Sequence, residues 1–249
     1  MRRIAAVFLP NIDRQAQTRV AESLLAFGAT AALDREAGVV WVDVTGCAQL
    51  HRSHRDPDGE PTLVKRIEEH VIAVGYGCRV AIADGPVVAA AVARSAESEA
   101  TCVIAPGGNA DALAPLPLRL LPLPEDTLHW LTKLGLVKVG DLAQIPRASL
   151  AVRLGAGAPR IMALLAGDDK TPLTPHLPPE VPEEAVVLEY GIESTEALLF
   201  VMKKLCDGLA WRIAGRALAL SQIEIVFDLD QGVVPGQEPA TISLALSTP

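Results

Sequence analysis

The sequence lacks three features that would each point to a particular class of protein. Its four cysteines are widely spaced and form no CxxC pair, which favours reduced structural thiols over a disulfide framework. No apolar run approaches the roughly 20 residues of a membrane-spanning helix. Basic residues are outnumbered, 22 against 30 acidic ones, for a formal net charge of −8. We therefore expect a cytoplasmic protein that does not contact a membrane and does not, by itself, bind nucleic acid tightly and nonspecifically.

Two short stretches resemble a signal peptide and a metal site. The N-terminal Arg2-Arg3 pair precedes an apolar segment like that of a signal peptide, but this segment is too short and no small-residue cleavage site follows it. Cys47, His51 and His54 are close enough in sequence to suggest a metal site, but a fourth ligand is not evident. A first β-strand and a polar loop are the favoured interpretations.

Residues 39–46 are the stretch around which the first part of the chain is organised. Five of these eight residues are β-branched, which is typical of a strand covered on both faces. Asp43 lies within this apolar run, and a carboxylate there is costly unless it is hydrogen-bonded, binds a metal or lies at an exposed strand end. The role of Asp43 therefore decides between a catalytic and a structural interpretation.

Apolar spacing and turn residues predict a βαββαβαβ order before a boundary near residues 106–109. This order indicates an α+β fold in which a sheet carries its helices on one side. Gly28 is expected to end the first helix as its C-cap. The predicted strands are residues 4–9, 30–33, 39–44, 78–83 and 101–104, and the predicted helices are residues 13–27, 62–74 and 86–95.

The second part of the chain, residues 110–167, is predicted to be entirely helical. Residues 128–142 have the pattern of a helix-hairpin-helix module, which presents backbone N–H groups at a helix N-terminus to a DNA phosphate. A simple αα-hairpin in a small bundle is the alternative. The local cations that could support DNA contact are Lys133, Lys138, Arg147 and Arg153.

Five prolines between residues 168 and 184 predict an extended linker. Residues 185–249 are then expected to form a strand at 186–190, a helix at 194–214 and two paired strands at 218–229 and 240–246. Three strands and one helix make a small βαβ-type domain that we expect to be incomplete, because the chain stops early or is a fragment.

Three stretches together resemble the Y-family (DinB/UmuC-like) translesion DNA polymerases, and more closely their ImuB branch. Residues 41–50 and 79–84 resemble the palm strands, and residues 134–147 resemble the thumb. The resemblance implies a palm-like domain over residues 1–106 with a minimal or missing fingers region, and a thumb-like domain over residues 110–167. Residues 168–184 would then be the linker, and residues 185–249 the start of the little-finger domain.

The family's catalytic residues do not carry over onto this sequence. Active members take one Asp from the first strand and an Asp-Glu pair before the palm strand, which hold two Mg²⁺ ions. Here the first strand ends in apolar residues 7–10, and the pair aligns with Gly38 and Val39. The family's Asn-Lys step, whose lysine meets the nucleotide phosphate, aligns with Gly85 and Pro86. The resemblance therefore implies no catalytic residue, no metal and no cofactor, with Asp43 and Thr45 fixing the strand end.

We expect a non-catalytic adaptor in bacterial damage-induced translesion synthesis. The partners that the resemblance implies are an error-prone replicative-type DNA polymerase, an ImuA- or RecA-like protein, and primer-template DNA. Clamp binding is doubtful because no persuasive clamp-binding peptide occurs. The residues expected to contact DNA are Lys133, Gly135, Lys138, Gly140 and Arg147.

Three alternatives remain open at this point. An active lesion-bypass polymerase would require Asp34, Glu36 and Asp43 to converge on Mg²⁺. A DNA-binding helix-hairpin-helix module without any adaptor role is the second. The third is a truncated product without function, which the missing fingers region leaves open.

Overall fold

A five-stranded sheet lies at the centre of the first part of the chain, in a computed structural model that describes residues 2–34, 38–54, 56–95, 102–192, 194–228 and 238–246. The chain divides into two compact units, residues 1–177 and residues 178–249. In the first unit the strand order is β2-β3-β1-β4-β5, with β1 in the middle. The strands are β1 (Ile4–Phe8), β2 (Ala31–Asp34), β3 (Val39–Asp43), β4 (Arg79–Ala83) and β5 (Cys102–Val103).

Three helices connect these strands, and the predicted βαββαβαβ order is confirmed. All neighbouring strands are antiparallel except β4 and β5, which are parallel and joined across a helix. The connecting helices carry polar residues on their outer faces and apolar residues at helical spacing. The helices are α1 (Arg14–Ser23), α2 (Glu60–Ala73) and α3 (Pro86–Ser95).

Helices cover both faces of the sheet, so the expectation that they lie on one side is wrong. Ala5 and Val7 of β1 pack in one core with residues of α1 and α2. Ala6, between them, points to the opposite face and packs in a second core with α3. Because successive strand residues alternate between faces, an apolar run such as β1 predicts two covered faces. The α+β class itself is confirmed.

Gly28 is not the C-cap of α1. The helix ends at Ser23 and continues into a 3-10 turn over Leu24–Ala26, and Gly28 lies beyond that turn. A Cβ atom on Gly28 would stand 2.3 Å from the carbonyl oxygen of Asp43. Gly28 is therefore required because two backbone segments approach each other closely at this position. From the sequence alone, a glycine at such a contact cannot be distinguished from a glycine at a helix end.

Five further helices complete the first unit and share the α3 core. Leu113, Leu131, Leu142 and Leu164 are buried in the same cluster as the α3 side of the sheet. The sheet and the helical region are therefore packed against each other through a common apolar core. These helices are α4 (Asn109–Leu113), α5 (Glu125–Lys133), α6 (Val139–Ala143), α7 (Arg147–Leu154) and α8 (Ala158–Leu165).

The α7–α8 stretch is the one described segment whose length and composition would suit a membrane-spanning helix. Gly155, at φ +55°, interrupts it and begins a short 3-10 turn over Gly155–Gly157. Leu150 on α7 and Ile161 on α8 are buried in the core of the first unit. Core packing thus accounts for part of this apolar composition.

The second unit consists of one long helix and one two-stranded sheet. Helix α9 (Thr195–Gly215) begins at Ser194, whose hydroxyl accepts a hydrogen bond from the backbone N–H of Ala197. Strands β6 (Gln222–Phe227) and β7 (Ala240–Ala245) pair in antiparallel fashion, as predicted. The expected third strand at residues 186–190 is absent from the structure, so that prediction is wrong.

Two arginine side chains of α9 bind the segment that precedes the helix. Arg212 donates hydrogen bonds to the backbone oxygen of Glu183 and to the carboxylate of Glu184, 3.1 Å away. Arg216 donates to the backbone oxygen of Pro179 at 2.8 Å. These bonds hold residues 179–184 near the C-terminal end of α9.

A buried ionic network joins the sheet to two of its connections. Arg3 donates from Nε to Glu60 and from Nη1 to Asp84, both at 2.7 Å, and from Nη2 to the backbone oxygen of Ile104. The Arg3 and Asp84 side chains are only 8% and 6% exposed. Asp84 also accepts from the backbone N–H of Gly107 at 2.6 Å. Every charge in this network therefore has opposite charge or dipoles around it, as buried charges require.

We predict that Arg3→Met destabilises the first unit by roughly 3–5 kcal/mol, because it leaves two buried carboxylates without their cation. Urea unfolding followed by tryptophan fluorescence measures the effect. Arg52→Met, at an exposed position, is the matched control and should leave the midpoint unchanged. Equal midpoints for the two variants would contradict this role for Arg3.

Candidate functional site

Four residues form a row across one face of the central sheet. Asp34 on β2 stands opposite Val39 on β3, Val39 opposite Phe8 on β1, and Phe8 opposite Arg79 on β4. Directly opposed residues in antiparallel strands point to the same face. At about 4.8 Å per strand, the row is roughly 14 Å long. The row therefore has the Asp34 carboxylate at one end, the Arg79 guanidinium at the other end, and two apolar side chains between them.

The positions aligned with the family's metal ligands meet in the middle of this row. The backbone N–H of Leu9 donates to the carbonyl of Gly38 at 2.8 Å, next to the Phe8–Val39 pair. A Cβ atom on Gly38 would lie 4.0 Å from the Phe8 ring. Phe8, Gly38 and Val39 are therefore neighbours, and their side chains are a phenyl ring, a hydrogen and an isopropyl group.

A cation lies beside these positions. The guanidinium carbon of Arg79 is 4.8 Å from the centroid of the Phe8 ring, within the range of a cation–π contact. A fixed positive charge on this face repels a divalent cation and attracts anionic groups. The sequence predicted apolar residues at positions 7–10 but gave no sign that an arginine would cover Phe8.

The carboxylates proposed for an active polymerase do not converge. Asp34 pairs with Val39 at one end of β3, whereas Asp43 ends that strand, four residues or roughly 13 Å further along. Glu36 lies outside the described residues. Within the described ranges, no group of three His, Cys, Asp or Glu side chains is placed to hold a metal ion.

Asp43 and Thr45 lie in a local hydrogen-bond network at the end of β3. The Asp43 carboxylate accepts from the backbone N–H of Thr45 at 3.1 Å and lies 3.6 Å from the Arg2 Nε atom. The Thr45 hydroxyl accepts from the backbone N–H of Arg3 at 2.9 Å. These contacts tie the end of β3 to the start of β1.

The local chemistry around Cys47 and His51 does not favour metal binding. Burial and the neighbouring Asp43 charge raise the pKa of the Cys47 thiol, which disfavours the thiolate that a metal requires. His51 Nδ1 lies 3.2 Å from the Arg66 guanidinium, and burial together with this charge lowers the pKa of His51. A cationic donor in hydrogen-bond contact leaves that nitrogen poorly available to a metal.

The N-terminus of α3 is capped by a residue far away in sequence. The Asp169 carboxylate accepts from the backbone N–H groups of Val87 and Val88, at 2.7 and 3.1 Å. A Cβ atom on Gly85 would stand 2.4 Å from the Asp169 side chain. A carboxylate thus occupies the region aligned with the family's phosphate-binding lysine. Sequence reasoning missed Asp169 because 82 residues separate it from Val87.

Residues 169–176, within the predicted linker, are fixed on the first unit. Arg2 donates to the backbone oxygen of Thr171 at 3.0 Å. The backbone N–H of His176 donates to the oxygen of Ala31, and its ring nitrogen lies 3.3 Å from the buried Glu22 carboxylate. Proline content alone could not distinguish a free linker from one held by such contacts.

A cavity of about 430 Å³ opens on the face that carries the row. Its charged groups are Asp34, Arg94 and Arg160, and the indole of Trp41 donates to the Pro86 oxygen in its wall at 2.8 Å. The volume suits a small ligand. Two guanidinium groups and one carboxylate are not a donor set for Mg²⁺, which prefers several oxygen ligands.

The helix-hairpin-helix over α5 and α6 is present, with Gly135 at φ +82° in its turn. Its backbone N–H groups, however, already have protein acceptors. Val137 and Lys138 donate to the Asp141 carboxylate at 2.9 and 2.8 Å, and Gly140 donates to the Ala114 oxygen. The expected phosphate contact through these N–H groups is therefore not available without breaking internal bonds.

Charged side chains of the helical region remain open to solvent. Lys133, Lys138 and Arg147 are all exposed, whereas Gly140 is half-buried against Ala114. Arg153 lies over the Trp130 ring at 5.0 Å. Residues 110–167 hold six basic and four acidic residues, so this region is positive within an acidic chain. Any contact with phosphates would therefore rest on side chains rather than on the hairpin backbone.

Comparison with solved structures identifies the fold. The insertion ternary complex of Dbh DNA polymerase covers 93% of this chain, with 64% of that chain matched, a TM-score of 0.53 and 15% identity. DinB from Sulfolobus solfataricus covers 94%, with 65% of that chain matched and a TM-score of 0.52. At such identities the likeness concerns the fold alone. No protein-family model matches the chain.

Sequence relatives agree with this fold. DNA polymerase IV from Dehalococcoides mccartyi is 32% identical over 147 residues, 58% of this chain and 35% of that protein. ImuB from Caulobacter vibrioides is 32% identical over 149 residues, 60% of this chain and 31% of that protein. The chain is thus similar in sequence to proteins named DNA polymerase IV and ImuB, and similar in fold to DinB-family polymerases. It spans about a third of the length of the curated relatives it matches.

The Asp141 contact predicts a pH-dependent effect on stability. Hydrogen bonds from the backbone of Lys138 and then Val137 lower the pKa of Asp141 below its usual value. A lowered pKa contributes stability above the unfolded pKa of about 3.9, and the contribution is lost as pH falls through the folded value. Asp141→Asn should therefore lower the urea midpoint at pH 7, and this difference should shrink below about pH 4.

Asp58→Asn, at an exposed position, is the control and should show no such pH dependence. A difference between wild type and Asp141→Asn that is unchanged from pH 7 to pH 3 would contradict the role of the ionised carboxylate.

Proposed function

We propose that the chain is a non-catalytic, polymerase-like adaptor of bacterial DNA damage tolerance and induced mutagenesis. The observation that carries this proposal is the composition of the row on the central sheet. Phe8, Gly38 and Val39 are neighbours in space, as the ligands of a two-metal site must be, yet none of them has a metal-binding group. Arg79 adds a positive charge beside them.

The position aligned with nucleotide binding supports the same proposal. An active polymerase requires a cation to meet the triphosphate, whereas here the α3 N-terminus carries the Asp169 carboxylate. A carboxylate on these N–H groups competes with a phosphate for the same donors. The chain would therefore bind an incoming nucleotide poorly at this point.

The names of the relatives bear on which partners we propose. One relative is named ImuB and others are named DNA polymerase IV. On the adaptor proposal, the partners are an error-prone replicative-type polymerase and an ImuA- or RecA-like protein in the cytoplasm, with primer-template DNA as a weak ligand. Sliding-clamp binding by this chain stays doubtful.

Primer extension tests the absence of catalysis directly. We expect no template-directed product with Mg²⁺ or Mn²⁺, because no three carboxylates of the described residues gather near the row. Product formation that is lost in both Asp34→Asn and Asp43→Asn would overturn the adaptor proposal. Product that survives both substitutions would identify a contaminating polymerase.

Weak DNA contact through the helical region is tested by charge reversal. Lys138→Glu should weaken primer-template binding in a mobility-shift titration at low salt and reduce the salt dependence by roughly one phosphate contact. Lys204→Glu, an exposed lysine of α9 in the acidic second unit, is the matched control and should have little effect. Equal losses for both variants would mean that net charge, and not the hairpin region, governs binding.

A further inference from the structure

The cavity of about 430 Å³ is formed by four separate parts of the first unit. The sheet at β2 and β3, helix α3, the helical region and residues 171–174 each contribute to its walls. The described residues that line it therefore all belong to one compact unit. A concave site of this size is large enough for a small organic molecule.

Residues 171–174 form one wall of the cavity and are held on both sides. Before this wall, the Asp169 carboxylate accepts hydrogen bonds from two backbone N–H groups of α3, at 2.7 and 3.1 Å. Arg2 donates to the backbone oxygen of Thr171 at 3.0 Å. After the wall, the backbone N–H of His176 donates to a backbone oxygen of β2 at 2.8 Å. A wall fixed in this way reduces the entropy lost on binding a ligand.

Trp41 gives the cavity an aromatic wall in a fixed orientation. Its indole N–H donates to the backbone oxygen of Pro86 at 2.8 Å, so its one polar group already has an acceptor. Leu33, Val39 and Leu121 add apolar surface around it. A planar apolar group suits these walls, because aromatic rings stack favourably on an indole or meet it edge to face.

Two arginines give the cavity its polar character. Arg94 lies half-buried in the last turn of α3, and Arg160 lies exposed on α8. Guanidinium groups bind carboxylates and similar anions through pairs of parallel N–H···O bonds. Together with the carboxylate of Asp34, the charged groups of the described lining carry a single net positive charge. One negative charge on a ligand balances this set, whereas a nucleoside triphosphate brings several.

We propose that this cavity binds a small organic monoanion that carries a planar apolar group. The anionic group pairs with the guanidinium groups of Arg94 and Arg160, and the apolar group lies against Trp41. Because four parts of the first unit line the cavity, a bound ligand stabilises their arrangement against unfolding. This inference goes beyond the proposed function, since it concerns neither DNA, nor a protein partner, nor a polymerase reaction.

Isothermal titration calorimetry on the full chain tests the charge selection with three probes of similar shape. They are naphthoate, naphthalenemethanol and naphthylmethylamine, which are an anion, a neutral molecule and a cation at neutral pH. We expect naphthoate to bind roughly tenfold more tightly than the other two, because only its carboxylate pairs with the guanidinium groups.

Two arginine variants and one control locate the binding. Arg94→Gln and Arg160→Gln should each weaken naphthoate roughly fivefold and leave naphthalenemethanol unchanged, because they remove charge but keep the apolar walls. Arg52→Gln, at an exposed position of the first unit outside the cavity, is the matched control and should bind naphthoate like the wild type. Circular dichroism identifies any variant that has lost its structure. If Arg94→Gln does so, the exposed Arg160 still decides the test.

Several outcomes would overturn the proposed anion site. No binding of naphthoate up to its solubility limit would do so, as would equal binding of all three probes, which would leave a merely apolar cavity. Naphthoate affinity that survives both arginine substitutions would place the probe elsewhere on the chain. Displacement of naphthoate by a deoxynucleoside triphosphate with Mg²⁺ would make the cavity a nucleotide site. None of these readouts involves primer extension, so they are independent of the proposed lack of catalysis.

Discussion

The buried guanidinium of Arg3 is the charge on which the first unit depends. It holds the start of the central strand against Glu60 at the beginning of α2 and against Asp84 at the end of β4. Asp84 in turn accepts from the loop at Gly107, where the chain enters the helical region. A charge of this kind is tolerated in the interior only when every partner is in place. The network therefore fixes the sheet, its crossover helix and the helical region in one arrangement.

The candidate site lies on the sheet that this network holds together. In a two-metal site, neighbouring strands bring carboxylates together, because the bound cations offset the electrostatic repulsion between them. Here the same neighbouring positions carry Phe8, Gly38 and Val39, and the positive charge is supplied by the Arg79 side chain. Apolar residues and a fixed cation need no metal for stability. A palm-like sheet can thus be stable with these three residues at neighbouring positions.

Local patterns predicted the elements well, and long-range contacts explain most of the errors. Hydrophobic periodicity gave the order of strands and helices up to β5, because each element needs only its own sequence to show a covered face. It placed the helices on one side of the sheet, although α3 covers the other face. The helix-hairpin-helix pattern predicted backbone N–H groups near Lys138 that are free to bind phosphate. The Asp141 carboxylate and backbone oxygens of residues 114–116 already accept hydrogen bonds from these groups. The strand predicted at residues 186–190 is not formed.

The sequence by itself determined the class of fold, the resemblance to Y-family polymerases and the apolar or glycine residues at positions 8, 38 and 39. Those properties follow from residue identity and from spacing along one element. Only the tertiary structure decided that Asp169 caps α3, that Arg79 covers Phe8, and that Trp41, Arg94 and Arg160 line one cavity. Each of these features depends on contacts between residues that are far apart in the sequence. Hydrogen bonds and burial are set by distance in space, and spacing along the chain does not encode that distance.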